Sequence, residues 1–298
     1  FKSQFKLQAG FNQINFRGRA EHLGVVYQYY DRHSISAFYN VPRHKNGKTG
    51  HEIALTKYST IEPLYFQDTV TPFNFDNYNV SAGAHYWFTP KLRTGLGSMY
   101  MYETYLQRDT TVFDLGQFEF QFHKYQIRTF LAYNNLDEHF ELQRGHRASL
   151  YAETIQTIDY PEISFFKFTS DLFYYQQIGQ RGNIALHQRI GMATNNDSPF
   201  APFVLDGFLN VRGVGNRVAR GTAEMIVNAE YRHTVWKHDW FFLQMVGFAD
   251  FGTLRQPGQE IKDMFKYNEM ELFLGGGIRL HSRKFYKVIF RLDYSVNP

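Results

Sequence analysis

The sequence predicts an all-β fold, a transmembrane antiparallel β-barrel of about fourteen strands, on three observations. Segment after segment alternates apolar and polar residues with a period of two, which gives a strand two unlike faces. Aromatic residues make up 18% of the 298 residues, with 30 Phe and 21 Tyr. They gather at segment ends (Tyr86, Trp87, Phe88; Tyr100, Tyr102, Tyr105; Trp236, Trp240), where the interface girdles of a membrane barrel lie. Several segments run roughly 12–16 residues; a membrane strand needs about 9–11, and a soluble strand averages about 5–6. No apolar run reaches the length of about 18 residues that marks a membrane helix. Mean hydropathy is negative, which a barrel tolerates because each strand carries a polar face.

In chain order, Phe5, Leu7, Ala9 and Phe11 alternate with polar or small residues and open the first strand. A Gly-containing turn over Asn15–Glu21 follows, then strands on Leu23–Tyr29 and Ile35–Val41, joined by a turn at Asp31–His33. Pro42–Gly50 reads as a polar loop. His51–Gln67 reads as a weaker strand that Pro63 breaks. Tyr78–Phe88 and Leu92–Tyr105 form the clearest hairpin, turning at Thr89-Pro90-Lys91. Gln107–Leu115 is expected as an outer loop, and Phe118–Asn135 as a strand. Asp137–His146 is expected as a charged turn, and Ala148–Thr157, Ile163–Gln176 and Asn183–Thr194 as strands. Ala223–Thr234, Trp240–Thr253, Glu271–Leu280 and Phe285–Val296 complete the fourteen, with no helix among them. Nothing resembling a linker or a repeat interrupts the series, so residues 1–298 are expected to form a single domain. Closing the sheet into a barrel would leave no unpaired edge.

Composition narrows the function. With no cysteine, the chain has no thiol nucleophile, Cys-ligated zinc or disulfide framework. Net charge is +4, and Lys and Arg are scattered rather than striped, so nucleic acid is not an expected partner. The 12 His show no metal-binding spacing; His51-Glu52 and the pair His139 and His146 read as solvated loop or turn residues. Neither a metal nor a cofactor is expected. Gly275-Gly276-Gly277 neither opens a helix nor precedes a Lys-Ser/Thr pair, so it is no phosphate loop. Its glycines are expected to let side chains pack across strands. The sequon Asn79-Val80-Ser81 lies within a strand and is set aside. The chain begins at Phe1 rather than Met, which implies that an N-terminal segment has been removed.

The most informative stretch is Phe203–Leu254. It starts as a Gly-rich, aromatic loop containing Gly207, Phe208 and Val211-Arg212-Gly213, and continues into strands bearing Glu230 and Phe248-Ala249-Asp250-Phe251-Gly252. An Arg withdrawn from water must keep charged partners, so one Arg followed by two strand carboxylates suggests a loop pinned inside a cavity. Parity supports this. Glu230 shares a face with Asn228 and Glu224, opposite Val227, Ala229 and Tyr231, and Asp250 lies opposite Ala249 and Phe251. Arg212, Glu230 and Asp250 are therefore the candidate loop anchor. The expected role is to hold the loop; no catalytic residue is assigned.

These residues resemble the barrel of the BamA, TamA and FhaC superfamily, the bacterial surface antigen type. Leu7–Arg19, Ala132–Asp137, Gly145–Ser149, Gly275–Leu280 and Phe290–Pro298 carry weaker likenesses along the chain. The resemblance implies that a Val-Arg-Gly loop dips into the lumen, its Arg meeting a Glu and the Asp of Phe-x-Asp-x-Gly. It thereby adds Val211 and Gly213 to the anchor, with Phe248 and Gly252 in support, as the neighbours that complete those two motifs. It implies strands two to fifteen of a sixteen-strand barrel, without strands one and sixteen and without POTRA domains, so that the chain is either a trimmed piece or a member that closes with fourteen strands. It further implies an integral protein of the bacterial outer membrane that assists protein insertion or translocation without covalent chemistry. The partners implied are outer-membrane lipid, unfolded or nascent barrel proteins and periplasmic accessory proteins. Two rival readings remain: a channel or structural barrel with no insertase role, and a lipid-active enzyme using Ser81 and His85, which share a strand face.

Overall fold

Alternation of residue types becomes alternation of burial in the computed structural model, which describes residues 6–66, 69–108, 118–139, 142–196, 200–207, 210–215, 219–284 and 288–298. Phe5, most of the expected Gln107–Leu115 loop, Phe208 and Phe285 lie outside the described residues. The strands are β1 (Lys6–Phe16), β2 (Glu21–Tyr30), β3 (Arg32–Val41), β4 (Thr49–Phe66), β5 (Thr69–Trp87), β6 (Leu92–Gln107), β7 (Glu119–Asn134), β8 (Asp137–His139) and β9 (Leu142–Thr157). They continue with β10 (Phe165–Ile178), β11 (Gly182–Ala193), β12 (Phe203–Leu205), β13 (Ala219–Gly221), β14 (Ala223–Lys237), β15 (Phe241–Arg255), β16 (Met270–Ser282) and β17 (Ile289–Val296). One sheet takes β1 to β7, β9 to β11 and β14 to β17 in chain order, with β8 paired to β9; β12 and β13 form a separate ribbon. The fourteen strands in that order match the fourteen expected from the alternation.

On one face the apolar residues stay exposed. In β17, Phe290, Leu292 and Tyr294 are 70%, 69% and 76% exposed. In β16, Leu272, Leu274, Ile278 and Leu280 are exposed, while Phe273 and Arg279 on the other face are buried. A large exposed apolar face signals a partner or a membrane rather than water.

Chain contacts divide the molecule into two compact units, each described by itself. The first comprises Phe1–Leu131, Tyr151–Phe168 and Asp197–Phe200. Its core is aromatic: Leu64, Phe73, Phe75, Tyr105 and Phe122 are buried together, with Tyr58, Phe118, Phe120, Ile163 and Phe200 packed against them. The rings of Phe75 and Tyr105 lie 4.7 Å apart, and Phe200 sits 5.0 Å from both Tyr105 and Phe122. Tyr105 is thus a core residue, which corrects its assignment to an interface girdle. Tyr86, Phe88, Tyr100, Trp236 and Trp240 are exposed. The second unit comprises Ala132–Leu150, Thr169–Asn196 and Ala201–Pro298. It contains the ladder β14–β15–β16–β17 and the ribbon of β12 and β13.

Other expectations fail for identifiable reasons. Pro63 does not break β4, which runs 18 residues. Pro63 faces Pro72 of β5. The β3 ladder on the far side of β4 is described only as far as Lys57, and the β6 ladder beside β5 starts at Phe73. Neither missing N–H therefore interrupts those ladders. Pro72 likewise does not delay β5, which begins at Thr69 rather than Tyr78. The charged stretch after Asn135 is largely a hairpin arm, with Asp137 opposite Arg144 and Glu138 opposite Gln143; opposite charges across a pair favour extension. The connection between β15 and β16 contains a 3-10 helix, Ile261–Phe265, started by a reciprocal cap between Glu260 and Asp263. Thr253 fastens this helix to β15 by donating from Oγ1 to the Met264 carbonyl at 2.6 Å.

Candidate functional site

The loop between β12 and β13 braces itself before it meets the sheet. Asn210 accepts the Asp206 amide at 2.9 Å and donates from Nδ2 to the Val204 carbonyl at 2.7 Å. The amides of Asn210 and Val211 donate to the Asp206 carbonyl, and the Gly207 amide to the Gly215 carbonyl. Asn228 of β14 then donates from Nδ2 to the Asn210 carbonyl at 2.8 Å. These bonds satisfy backbone groups that would otherwise be orphaned by burial.

Each motif residue of β15 receives one part of the loop, because Phe248, Asp250 and Gly252 share one face at every second position. Val211 is fully buried, and a Cβ on Gly252 would lie 2.6 Å from its Cγ2 and 3.0 Å from Leu205 Cδ1. Gly252 therefore opens the space into which Val211 fits. Asp250, also fully buried, takes Arg212 by three bonds. The Arg212 amide donates to Oδ2 at 3.1 Å, Nε to Oδ2 at 2.6 Å and Nη2 to Oδ1 at 2.8 Å. Phe248 completes the clamp, with the Arg212 Cζ 3.5 Å from its ring centroid, a cation–π contact. The Phe248 ring in turn lies over Gly275, where any Cβ would collide with it. Gly213 turns the chain away at φ +93°, a region that disfavours any residue with a Cβ.

Glu230 of β14 is the second carboxylate. Its Oε2 accepts from Arg212 Nη1 and from Arg279 Nη2, each at 2.7 Å, and its Oε1 accepts from Arg232 Nε. Asp293 of β17 lies 3.6 Å from Arg212 Nη1 and pairs with Arg291. Four guanidinium groups thus meet three carboxylates around a cavity of about 680 Å³. Burial by itself lowers the Arg212 pKa, but the hydrogen bonds and charges of Asp250 and then Glu230 outweigh it. The net effect is upward, so the guanidinium stays charged.

The structure brings together all the residues singled out for the loop anchor, Val211, Arg212, Gly213, Glu230, Phe248, Asp250 and Gly252. Arg232, Arg279 and Asp293 escaped that reading. Their signal was parity: in β16, Arg279 falls opposite in phase to Leu272, Leu274, Ile278 and Leu280, which are exposed.

The other singled-out residues have contacts of their own. His85 Nε2 donates to the Pro42 carbonyl at 2.9 Å, while Ser81 lines a separate small cavity with Glu52 and Arg128. Asn79 is tied to Asn77 within β5, and His51 Nδ1 lies 3.0 Å from His44 Nε2. His146 stacks on Tyr133; the side chain of His139 lies outside the described residues. Gly275, Gly276 and Gly277 pair with β15 on one side and β17 on the other. Among the described residues, no group of three or more metal-ligating side chains converges.

Solved structures similar in fold include BamA from Haemophilus ducreyi lacking POTRA domains 1–3, at TM-score 0.67 and 14% identity, with 98% of this chain and 67% of that chain covered. CdiB from Escherichia coli matches at TM-score 0.69 and 10% identity, covering 98% of this chain and 55% of that one. CdiB from Acinetobacter baumannii matches at TM-score 0.62 and 10% identity, covering 98% and 57%. The chain thus spans about two thirds of the first and just over half of the other two. These likenesses establish the antiparallel β-barrel fold. No curated protein sequence matches the chain. The family model for the Omp85 superfamily domain matches residues 15–290, and the chain belongs to that superfamily.

Proposed function

We propose that this chain is an integral barrel of the bacterial outer membrane that assists the insertion or translocation of proteins. In this reading the Arg212 loop is a lumenal anchor. The observation that carries it is the loop clamp: Val211 seated on Gly252, Arg212 bound by Asp250 and Glu230, and Phe248 capping the guanidinium. Such a clamp has no leaving group or nucleophile in place, and its charges are already paired with each other. It suits a fixed support better than a reaction centre, because preorganised ion pairs hold geometry without turnover. The exposed apolar face supports the membrane location, since barrel strands turn their apolar residues to lipid. Protein substrates and accessory proteins of the periplasm are the partners proposed.

The test is reconstitution of the chain in phospholipid vesicles, followed by addition of a urea-unfolded outer-membrane barrel protein. Folding of that protein is followed by its shifted gel mobility without heating. A shorter folding half-time than with empty vesicles supports the proposal, and an unchanged half-time overturns it. Steady ion conductance without acceleration would favour the channel reading instead.

A further inference from the structure

We infer that the exposed face of β3 to β6 is a binding site for a phosphate-bearing lipid, with Lys57 taking the headgroup and an adjoining apolar groove an acyl chain. The inference rests on the outer-membrane location proposed above. Strand register builds the site in two rows. Ile35 lies beside Lys57, Lys57 beside Tyr78, and Tyr78 beside Tyr102. One step along the strands, Ala37, Leu55, Val80 and Tyr100 form the second row in the same way. Together they border an open cavity of about 470 Å³. Leu55, Ile35, Tyr78, Val80 and Tyr100 are exposed although apolar, so the groove has no occupant from this chain among the described residues.

Lys57 is the charge that selects the headgroup. Its Nζ stands 5.7 Å from the Tyr78 ring centroid, and it has no ion-pair partner among the described residues. The neighbouring acid, Asp76, is already held by Arg32 at 2.6 Å and by Ser59 Oγ at 2.5 Å. The hydroxyls flanking the groove are also committed, Tyr100 with His123 Nδ1 at 2.6 Å and Tyr102 to Gln121 Oε1 at 2.9 Å. A cation without a carboxylate among the described residues therefore borders a greasy cleft, the arrangement an anionic headgroup with its acyl chain alongside would satisfy. A Lys near a membrane surface also snorkels to reach that depth.

Native mass spectrometry of the detergent-purified chain tests this with two lipids of identical chains, phosphatidylglycerol and an uncharged monogalactosyl diacylglycerol. The wild-type chain is expected to retain phosphatidylglycerol more tightly than the galactolipid. Lys57→Gln should weaken phosphatidylglycerol retention about fivefold, the factor expected for one Lys at a charged lipid surface, and leave galactolipid retention unchanged. Lys57→Arg should restore it. Ala37→Trp, which fills the groove, should weaken both lipids. Heat-dependent gel mobility verifies that each variant is folded. Equal phosphatidylglycerol retention by wild type and Lys57→Gln overturns the site, as does unchanged retention by Ala37→Trp. Failure of the wild-type chain to enter vesicles would instead count against the membrane location.

Discussion

The two units organise their buried polar faces by different physics. In the first, the core is a stack of rings around Phe73, Phe75, Tyr105, Phe122 and Phe200, and its ion pairs include Lys124 to Glu103 at 2.6 Å and Lys167 to Glu153. In the second, Arg212, Arg232, Arg279 and Arg291 are interleaved with Glu230, Asp250 and Asp293. Ring packing is non-directional and scales with area removed from water. An ion cluster gains little net stability over apolar packing, because desolvation offsets attraction, but it penalises any wrong arrangement heavily. The comparison suggests that aromatic packing supplies strength in the first unit, while the charges of the second specify where one loop must sit.

The largest expected effect tests the aromatic side. Phe73 is 1% exposed, so Phe73→Ala should cost about 3–5 kcal/mol through lost burial and the cavity left behind. Urea unfolding followed by tryptophan fluorescence measures it. Protease sensitivity of the Arg212 loop should not change, since no loop contact is lost. A cost below about 1 kcal/mol would mean the cluster rearranges freely, beyond the partial relaxation expected of packed cores.

On the charged side, Asp250→Ala should cost about 3 kcal/mol. That is the low end for a broken buried pair, because Arg212 keeps Glu230 and some solvent contact. Arg212→Ala should cost a similar amount, since it leaves the fully buried Asp250 carboxylate without its cation, and it frees the same loop. Limited proteolysis of both variants should cut near Gly207–Gly215 while most of the sheet stays folded. If the Arg212→Ala loop is as resistant as wild type, the clamp does not hold the loop. Gly252→Ala is a smaller perturbation. Its Cβ would stand 2.6 Å from Val211, and the overpacking should cost about 1–3 kcal/mol. The same digestion should show the loop displaced even though every charge remains.

How much of this was legible in the sequence follows the same division. The strands were readable because Tyr78, Val80, Ala82 and their like repeat every two residues and one face stays apolar. The ribbon of Phe203–Leu205 and Ala219–Gly221 was not, since three residues are too short to show a period. Pro63 misled because the cost of a proline depends on which neighbour its nitrogen faces, and only register supplies that. The Arg212 triad was legible through its motif spacing and parity. Arg279 and Asp293 were readable as inward residues but not as partners, because their pairing depends on how β15, β16 and β17 align.

The smallest predicted effect separates the two kinds of interaction within one residue. Phe248 touches the Arg212 guanidinium by its ring face and fills the space above Gly275. Phe248→Leu keeps an apolar side chain there but removes the π-face, so the cation–π share of the loss should be about 0.5–2 kcal/mol. Measured alone, that loss mixes both roles. Measured again in an Arg212→Ala background, only the packing role survives. If the ring acts through the guanidinium, much of the Phe248→Leu cost should vanish when Arg212 is absent, giving a coupling well above the ~0.3–0.5 kcal/mol expected of independent sites. Additive losses would place Phe248 with the rings of the first unit as packing material. The contrast between a region held by area and a region held by charge would then stop at Asp250.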